Sequence, residues 1–399
     1  MIKYISYGDT SGYGLAGIGY LRGLLNLGLD VQWQPVFWGA HGLQFWTPGM
    51  APQLLEIVRS AAPPDPALRD LPAILAHTAA PRGYHTVVAH LVPEYLPACL
   101  EAGKRNIAYC TWESDRIPVH WPAILNRYDA VLVPSHFNAD VFRAGGVTVP
   151  VHVVPHIRRH AHDDATPAQV AELRGGLGIP PDAFVFYTIG AWMLRKDLAR
   201  LIEAFLDEFT PDEPVALCLK TSGKPVHFAL PHEQGKTSLQ LVHETLQRVA
   251  ARTGRTRLPT VAVMAGDGVS GAWIDCLHRM GDAYISLARA EGWGMGAFDA
   301  AALGRPVLAT GWSGYLDFLG HDHPGLIDYT LAPIDWPGTS YGADHRWAIA
   351  DTSDARRRMR RQFARRGQPD AHAQRLAETI ANRYAEGAVM RLFRRAIGL

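Results

Sequence analysis

The chain has 399 residues and a formal net charge of +1, with 48% hydrophobic and 19% charged residues. That is room for two cores at the usual domain size of roughly 100–200 residues, and the balance excludes a disordered or fibrous protein. The near-zero net charge makes no electrostatic case for nucleic acid, and no nucleic-acid partner is expected.

From the N-terminus, Ile2 to Tyr7 reads as a buried strand running into the glycine-rich turn Gly8–Gly14 (GDTSGYG). An apolar helix from Leu15 to Leu27 and a strand at Val31–Phe37 follow, which is an α/β order. Further strands are predicted at 86–89, 106–110, 130–133 and 151–154, with helices over 93–102, 119–126 and 137–144 between them. This is the content of one doubly wound domain, residues 1–157. Residues 158–174 fall in a polar stretch punctuated by Pro and Gly, which suits a linker. The pattern then restarts over 175–350. Strands are predicted at 184–189, 215–219, 261–265, 283–287, 306–309 and 326–330, and helices at 197–209, 238–251, 272–279 and 294–303. Residues 351–399 read as C-terminal helices, over 356–366 and 371–384, expected to pack back toward the first domain. Two such units predict a crevice between them in which two substrates are held for transfer.

The four cysteines, Cys99, Cys110, Cys218 and Cys276, have no zinc or iron–sulfur spacing and are too few for a disulfide scaffold. No signal peptide and no span of about 18 uncharged apolar residues is read, so the expectation is a cytoplasmic protein. The segment from Asp351 to Leu399 holds twelve arginines against five acids. That basic end suits peripheral contact with the anionic inner face of a membrane, or is simply the solvated face of terminal helices.

The most informative stretch is ARAEGWGMGAFDAAALGRPVLATGWSGYLDFL, from Ala288 to Leu319. It is a strand end, then Glu291, then a glycine-punctuated turn (Gly292, Gly294, Met295, Gly296) at a helix start. Backbone N–H groups at such a start suit an anion. Glu291 and Asp299 stand eight apart, and two carboxylates across a turn suit the hydroxyls of a polyol. Glu291 as a helix cap and Asp299 as a solvated residue would leave the same pattern.

This stretch resembles the E-x7-E signature of retaining glycosyltransferase family 4, the group 1 transferases, with Asp299 where the family usually has Glu. The resemblance extends to Gly190–Phe205 (GAWMLRKDLARLIEAF), Tyr109–Pro118 (YCTWESDRIP), Pro134–Ser135, Val154–His156 and Trp347–Asp351. It implies a GT-B fold, two Rossmann-like domains facing each other across a cleft, and sugar transfer with retention. It assigns Glu291 to the donor sugar, Asp299 to the ribose and Lys196 to the diphosphate. Many members carry Arg after the strand glycine, where this chain has Ala191, so Arg195 or Lys220 is expected to help. Gly12 and Gly14 are expected over the diphosphate, His90 near the donor sugar, and Glu113 with Trp112 on the acceptor side. Some of the tryptophans Trp33, Trp38, Trp46, Trp112 and Trp121 would stack on an acceptor sugar, with core packing the plainer account for most. His156 reads as part of an interdomain turn.

The resemblance further implies no covalent nucleophile, no cofactor and no bound metal. The expected partners are a nucleotide-sugar and a saccharide or lipid-linked saccharide acceptor, in polysaccharide or glycoconjugate synthesis. A nucleotide-sugar epimerase of the same fold and a non-catalytic nucleotide- or carbohydrate-binding protein are the alternatives. A nicotinamide dehydrogenase is disfavoured, because GDTSGYG lacks the G-x-G-x-x-G arrangement.

Overall fold

A computed structural model describes residues 1–9, 11–39, 42–45, 83–158, 165–226, 229–267, 269, 271–336 and 339–399. Trp46, Thr10 of the first glycine turn and residues 159–164 of the predicted linker lie outside the described residues, as does the side chain of Trp38. The chain forms two compact units. One takes Met1–His160, Ser270–Ala272 and Ala381–Leu399, and the other takes Ala161–Val269 and Trp273–Ile380.

The first unit runs β1 (Ile2–Tyr7), α1 (Gly12–Asn26), β2 (Val31–Gly39), β3 (Gly42–Phe45), β4 (Thr86–His90), a 3-10 turn (Pro93–Cys99), β5 (Arg105–Tyr109), α2 (Trp121–Leu125), β6 (Ala130–Val133), α3 (His136–Ala144) and β7 (Val151–Val153). Its sheet has the order β3-β2-β1-β4-β5-β6-β7. Only β3, which the pattern did not reveal, runs antiparallel to its neighbour. Every residue of β4 and β6 is buried, as expected of central parallel strands covered on both faces. The helix predicted over 93–102 is a 3-10 turn with Pro97 inside it. A proline there has no N–H for an α-helical bond.

Residues from Pro167 to Arg383 supply the second unit's elements: α4 (Pro167–Gly176), β8 (Phe184–Ile189), α5 (Leu198–Glu208), β9 (Val215–Thr221), α6 (Ser238–Thr253), β10 (Thr260–Ala265), α7 (Gly271–Met280), β11 (Ala283–Ser286), α8 (Met295–Ala302), β12 (Val307–Thr310), α9 (Leu316–Leu319), β13 (Leu326–Ile327), β14 (Tyr329–Pro333), β15 (Arg346–Ala350), α10 (Thr352–Ala364) and α11 (Ala371–Arg383). The six-stranded parallel sheet has the order β10-β9-β8-β11-β12-β13. Leu198, Leu201, Ile202 and Phe205 of α5 form a buried helical stripe. They pack with Phe186, Phe209 and Phe363 in this unit's core. The strand predicted over 326–330 divides. Leu326 and Ile327 stay in the sheet, while Tyr329–Pro333 pairs antiparallel with Arg346–Ala350.

One further helix, α12 (Glu386–Ile397), closes the chain within the first unit. There Glu386 takes hydrogen bonds from Arg22 (2.9 Å) and Asn26 (2.7 Å) of α1. Helix α10 instead belongs to the second unit, where Arg356 and Arg360 bond Glu208 at the end of α5. In each sheet the strand order reverses beside the first strand, between β1 and β4 and between β8 and β11. Open α/β sheets bind ligands at the C-terminal ends of strands at such a switch point.

Candidate active site

At the switch point of the second unit, β8 ends at Ile189 and leads through Gly190 to a 3-10 turn at Leu194–Lys196. Beside it, β11 leads through Leu287–Ala290 to Glu291 and then α8. The two loops bring together Lys196, Arg195 and Glu291. Lys196 Nζ pairs with Glu291 Oε1. Arg195 Nη1 reaches Glu291 Oε2 at 3.1 Å and donates to the Ala290 carbonyl at 2.7 Å. The Lys196 stem lies across Gly190, with Cδ 3.4 Å from where a Cβ would stand. Side-chain exposures of 10–20% keep the trio poorly hydrated. Burial would raise the Glu291 carboxyl, but the charges of Lys196 and Arg195 outweigh it and hold the group below the ordinary carboxylate range. Glu291 is therefore an ion-paired acid and not a helix cap. The N-cap of α8 is Gly294, in the left-handed region at φ 91°.

The backbone around Glu291 is fixed from the far side by GWSGY. Ser313 Oγ accepts the Glu291 N–H at 2.9 Å, and the Gly314 N–H donates to the Glu291 carbonyl at 2.9 Å. Ser313 adopts φ 68°, an uncommon conformation for a residue with a side chain. A Cβ on Gly314 would overlap the Gly292 carbonyl, and one on Gly294 would overlap the Tyr315 ring. One on Gly296 would stand 2.7 Å from the Tyr284 hydroxyl. These glycines let the start of α8 (Met295) approach the sheet, where its free N–H groups favour an anion. Asp299 lies one turn into α8 and is 8% exposed, so it is not the solvated residue that pattern alone allowed.

Lys220 is the last residue but one of β9, before Thr221, and lies next to Gly190, whose N–H donates to the Lys220 carbonyl at 3.0 Å. Its half-buried ammonium makes no hydrogen bond or ion pair among the described residues. Burial lowers its pKa and the charge of Asp267 partly opposes that shift.

In the first unit, His90 ends β4 at the other switch point, 1% exposed and ringed by Tyr4, Tyr13, Tyr20 and Tyr109. Burial and then the charge of His156 push its pKa well below that of a free histidine, so the ring is neutral. The Tyr4 hydroxyl lies 3.0 Å from Nδ1. With the Tyr4 hydroxyl donating, Nδ1 accepts and the proton of the neutral ring sits on Nε2, which is the tautomer expected here.

Gly14 lies under Asp9, whose backbone occupies the place of a Cβ, while Gly12 has nothing within 4 Å of that place. Trp112 is packed edge-on against Trp121 with ring centroids 4.6 Å apart, and its indole N–H donates to Ser114 Oγ at 2.8 Å. Such a ring is a core element and offers no stacking face. Neighbouring Glu113 is half-buried, on a loop held by Asn138, which accepts the Trp112 N–H at 2.8 Å. His156 lies 3.3 Å from the Tyr20 hydroxyl inside the first unit. Trp33 is buried, donating to Ser6 Oγ.

Pattern reasoning missed Ser313, Asp197, Arg289, Asn138 and Tyr4, because each acts through a partner distant in sequence. A polar residue beside a motif, as with Asp197 after Lys196, was the available signal.

No family model matches the sequence, and neither does any curated protein. Solved structures do. HepE of Anabaena in complex with UDP-glucose aligns over 100% of this chain and 99% of its own, at TM-score 0.63 and 15% identity. Sucrose-phosphate synthase from Thermosynechococcus elongatus covers the same shares at TM-score 0.60 and 15% identity. TarM of S. aureus, solved with UDP, aligns at TM-score 0.53 and 12% identity over 79% of this chain. This chain spans only 55% of TarM. These likenesses give the chain the GT-B fold that the sequence resemblance implied.

Proposed function

We propose that the chain is a glycosyltransferase that moves a sugar from a nucleotide-sugar donor to a hydroxyl acceptor with retention at the anomeric carbon. The observation that carries this reading is the Lys196–Glu291–Arg195 cluster at the switch point of the second unit. It combines two cations, one carboxylate and a helix start opened by glycines. In the proposed reaction the bond from C1 to the diphosphate breaks and negative charge grows on the leaving oxygens. Lys196, Arg195 and the α8 N-terminus stabilise that charge most in the transition state, which is where stabilisation accelerates a reaction. Glu291 accepts hydrogen bonds from donor-sugar hydroxyls, and Asp299 faces the ribose. The acceptor oxygen bonds to C1 on the face the diphosphate leaves, and its proton passes to the departing phosphate oxygen. No covalent enzyme intermediate and no metal enter this scheme. Lys220 is proposed to supply a further cation to the donor.

The neighbours solved with UDP or UDP-glucose support uridine as the first nucleotide to try. A saccharide or lipid-linked saccharide is the proposed acceptor, in polysaccharide or glycoconjugate synthesis. Among the described residues no helix is long and apolar enough to cross a membrane. Peripheral contact with an anionic surface would fall to α12, where Arg391, Leu392, Arg394 and Arg395 are exposed. Most arginines at the start of α10 are engaged with acids of their own unit.

The test is a thermal-shift series with UDP-, GDP- and dTDP-sugars, followed by hydrolysis and transfer assays with the best binder. Stabilisation by one donor and release of its nucleoside diphosphate is the expected result. No stabilisation by any of them would sink the reading, and binding without turnover would leave a binding protein.

A further inference from the structure

Directly after Lys196, Asp197 adopts φ 49°, ψ 41°, the left-handed conformation that glycine takes readily and a residue with a side chain seldom does. It stands at the N-cap of α5, yet its carboxylate makes no capping hydrogen bond. The usual structural reason for an Asp at this place is therefore missing. Both of its bonds go elsewhere. Asp197 Oδ2 accepts from Arg200 Nε at 3.0 Å and from Arg289 Nε at 2.9 Å. The Asp197 side chain is 9% exposed and that of Arg289 16%, so the bond between them is shielded from water.

Arg289 lies two residues before Glu291, on the other loop of the site, and is itself held at several points. Its guanidinium sits 5.2 Å from the centre of the Trp347 ring. Its N–H donates to the Arg195 carbonyl at 2.8 Å, and its carbonyl accepts the Ala348 N–H at 2.9 Å. Besides the two ion pairs to Glu291, three further bonds tie the loop carrying Lys196 to the loop carrying Glu291. These are Arg289 N to Arg195 O, Arg195 Nη1 to Ala290 O, and Arg289 Nε to Asp197 Oδ2. The third acts on the residue that directly follows Lys196 in the chain. Strain persists where the surroundings over-determine it, and it gathers where geometry matters for function.

We propose that Asp197 is a positioning residue for Lys196, anchored by Arg289, and that this buried pair keeps the Lys196 ammonium aligned for the leaving diphosphate. The inference rests on the reading of Lys196 as a diphosphate ligand. Asp197 touches no substrate and acts through Lys196.

The experiment compares Asp197→Asn, Asp197→Gly, Arg289→Gln, the double variant Asp197→Asn with Arg289→Gln, and Lys196→Ala in the full chain. It reads kcat and KM for the donor identified above, UDP affinity by calorimetry, and the melting temperature. Asn tolerates the left-handed backbone and Gly relieves it, so both separate backbone comfort from the carboxylate. The expected result is a loss of about tenfold in kcat for both Asp197 variants, with KM little changed, since misplaced catalytic groups cost rate more than binding. Arg289→Gln should match them, and the double variant should be no worse than either single one, as for two parts of one device. Wild-type kcat in Asp197→Gly or Asp197→Asn would overturn the proposal, as would multiplying losses in the double variant. If Lys196→Ala leaves UDP affinity and turnover unchanged, the diphosphate reading fails first and the proposal with it. If Lys196→Ala is impaired while the Asp197 variants are not, only the proposal fails.

Discussion

Glu291 holds its charge between Lys196 and Arg195 in a nearly dry setting, so its partners should decide its titration. A carboxyl held below its unfolded value contributes stability that is complete above that value and lost as pH falls through the folded one. For Glu291 burial opposes ionisation, and Lys196 is the first of the groups that outweigh it. We therefore expect kcat/KM to keep its acid limb below the ordinary carboxylate range in the parent protein. In Lys196→Ala, where the largest favourable charge is gone, the limb should move to higher pH. Superimposable acid limbs would contradict this. Glu291→Gln should cost about 10²–10³ in kcat, the usual effect of removing one aligned polar group from such a site. Lys and Arg would then be left beside each other without their shared anion, so melting should drop as well. At His90 the expectation concerns a proton. Nitrogen-15 spectra of the imidazole should report the Nε2–H tautomer, and Tyr4→Phe should shift the population toward Nδ1–H. A parent spectrum already showing Nδ1–H would refute the assignment. The motifs single out Glu291 and Lys196, and the structure brings their side chains together. Their ion pair was not legible in the motifs, because it joins residues on two strand-end loops that only the strand order makes neighbours.

At the scale of elements, the glycines around Glu291 are not equivalent. Gly294 has φ 91° and the Tyr315 ring beside it, whereas Gly12 starts α1 with open space where a side chain would stand. Alanine at 294 meets both a conformational penalty and overpacking, together about 2–5 kcal/mol, and should lower the melting temperature by several degrees. Alanine at 12 should leave melting nearly unchanged. A fall in activity in that second variant, with stability kept, would indicate that a substrate approaches this turn. Equal melting of the two variants would show that the packing at Gly294 is not the constraint described. Most strands and the helices α1, α3, α5, α6 and α8 are legible to within a few residues, because their apolar periods are clear. The exceptions have local causes. Pro97 tightens 93–99 into a 3-10 turn, β3 is a short half-buried edge, and β14 begins one residue after β13 ends although it leaves the sheet.

Across the whole molecule, the chain's end returns to its first unit. The Phe393 ring of α12 packs at a tilt against those of Tyr4 and Tyr20, and Met390 occupies the place a side chain on Gly23 would need. Removing such a buried ring costs about 3–5 kcal/mol. Phe393→Ala should thus lower the unfolding transition of the first unit while leaving that of the second in place. A single shared shift of both transitions, or none, would contradict the assignment of α12 to the first unit. A fragment of residues 1–157 should likewise fold poorly until a peptide of residues 381–399 is added. The sequence by itself determined the α/β class and singled out Lys196 and Glu291, which the structure pairs. Those features follow from apolar periods, glycine turns and side-chain chemistry, which are local. Which loops meet, which acid is paired, what surrounds His90 and where the last helix packs were decided by the tertiary structure. Each of those depends on contacts between residues far apart in the chain, and no periodicity records them.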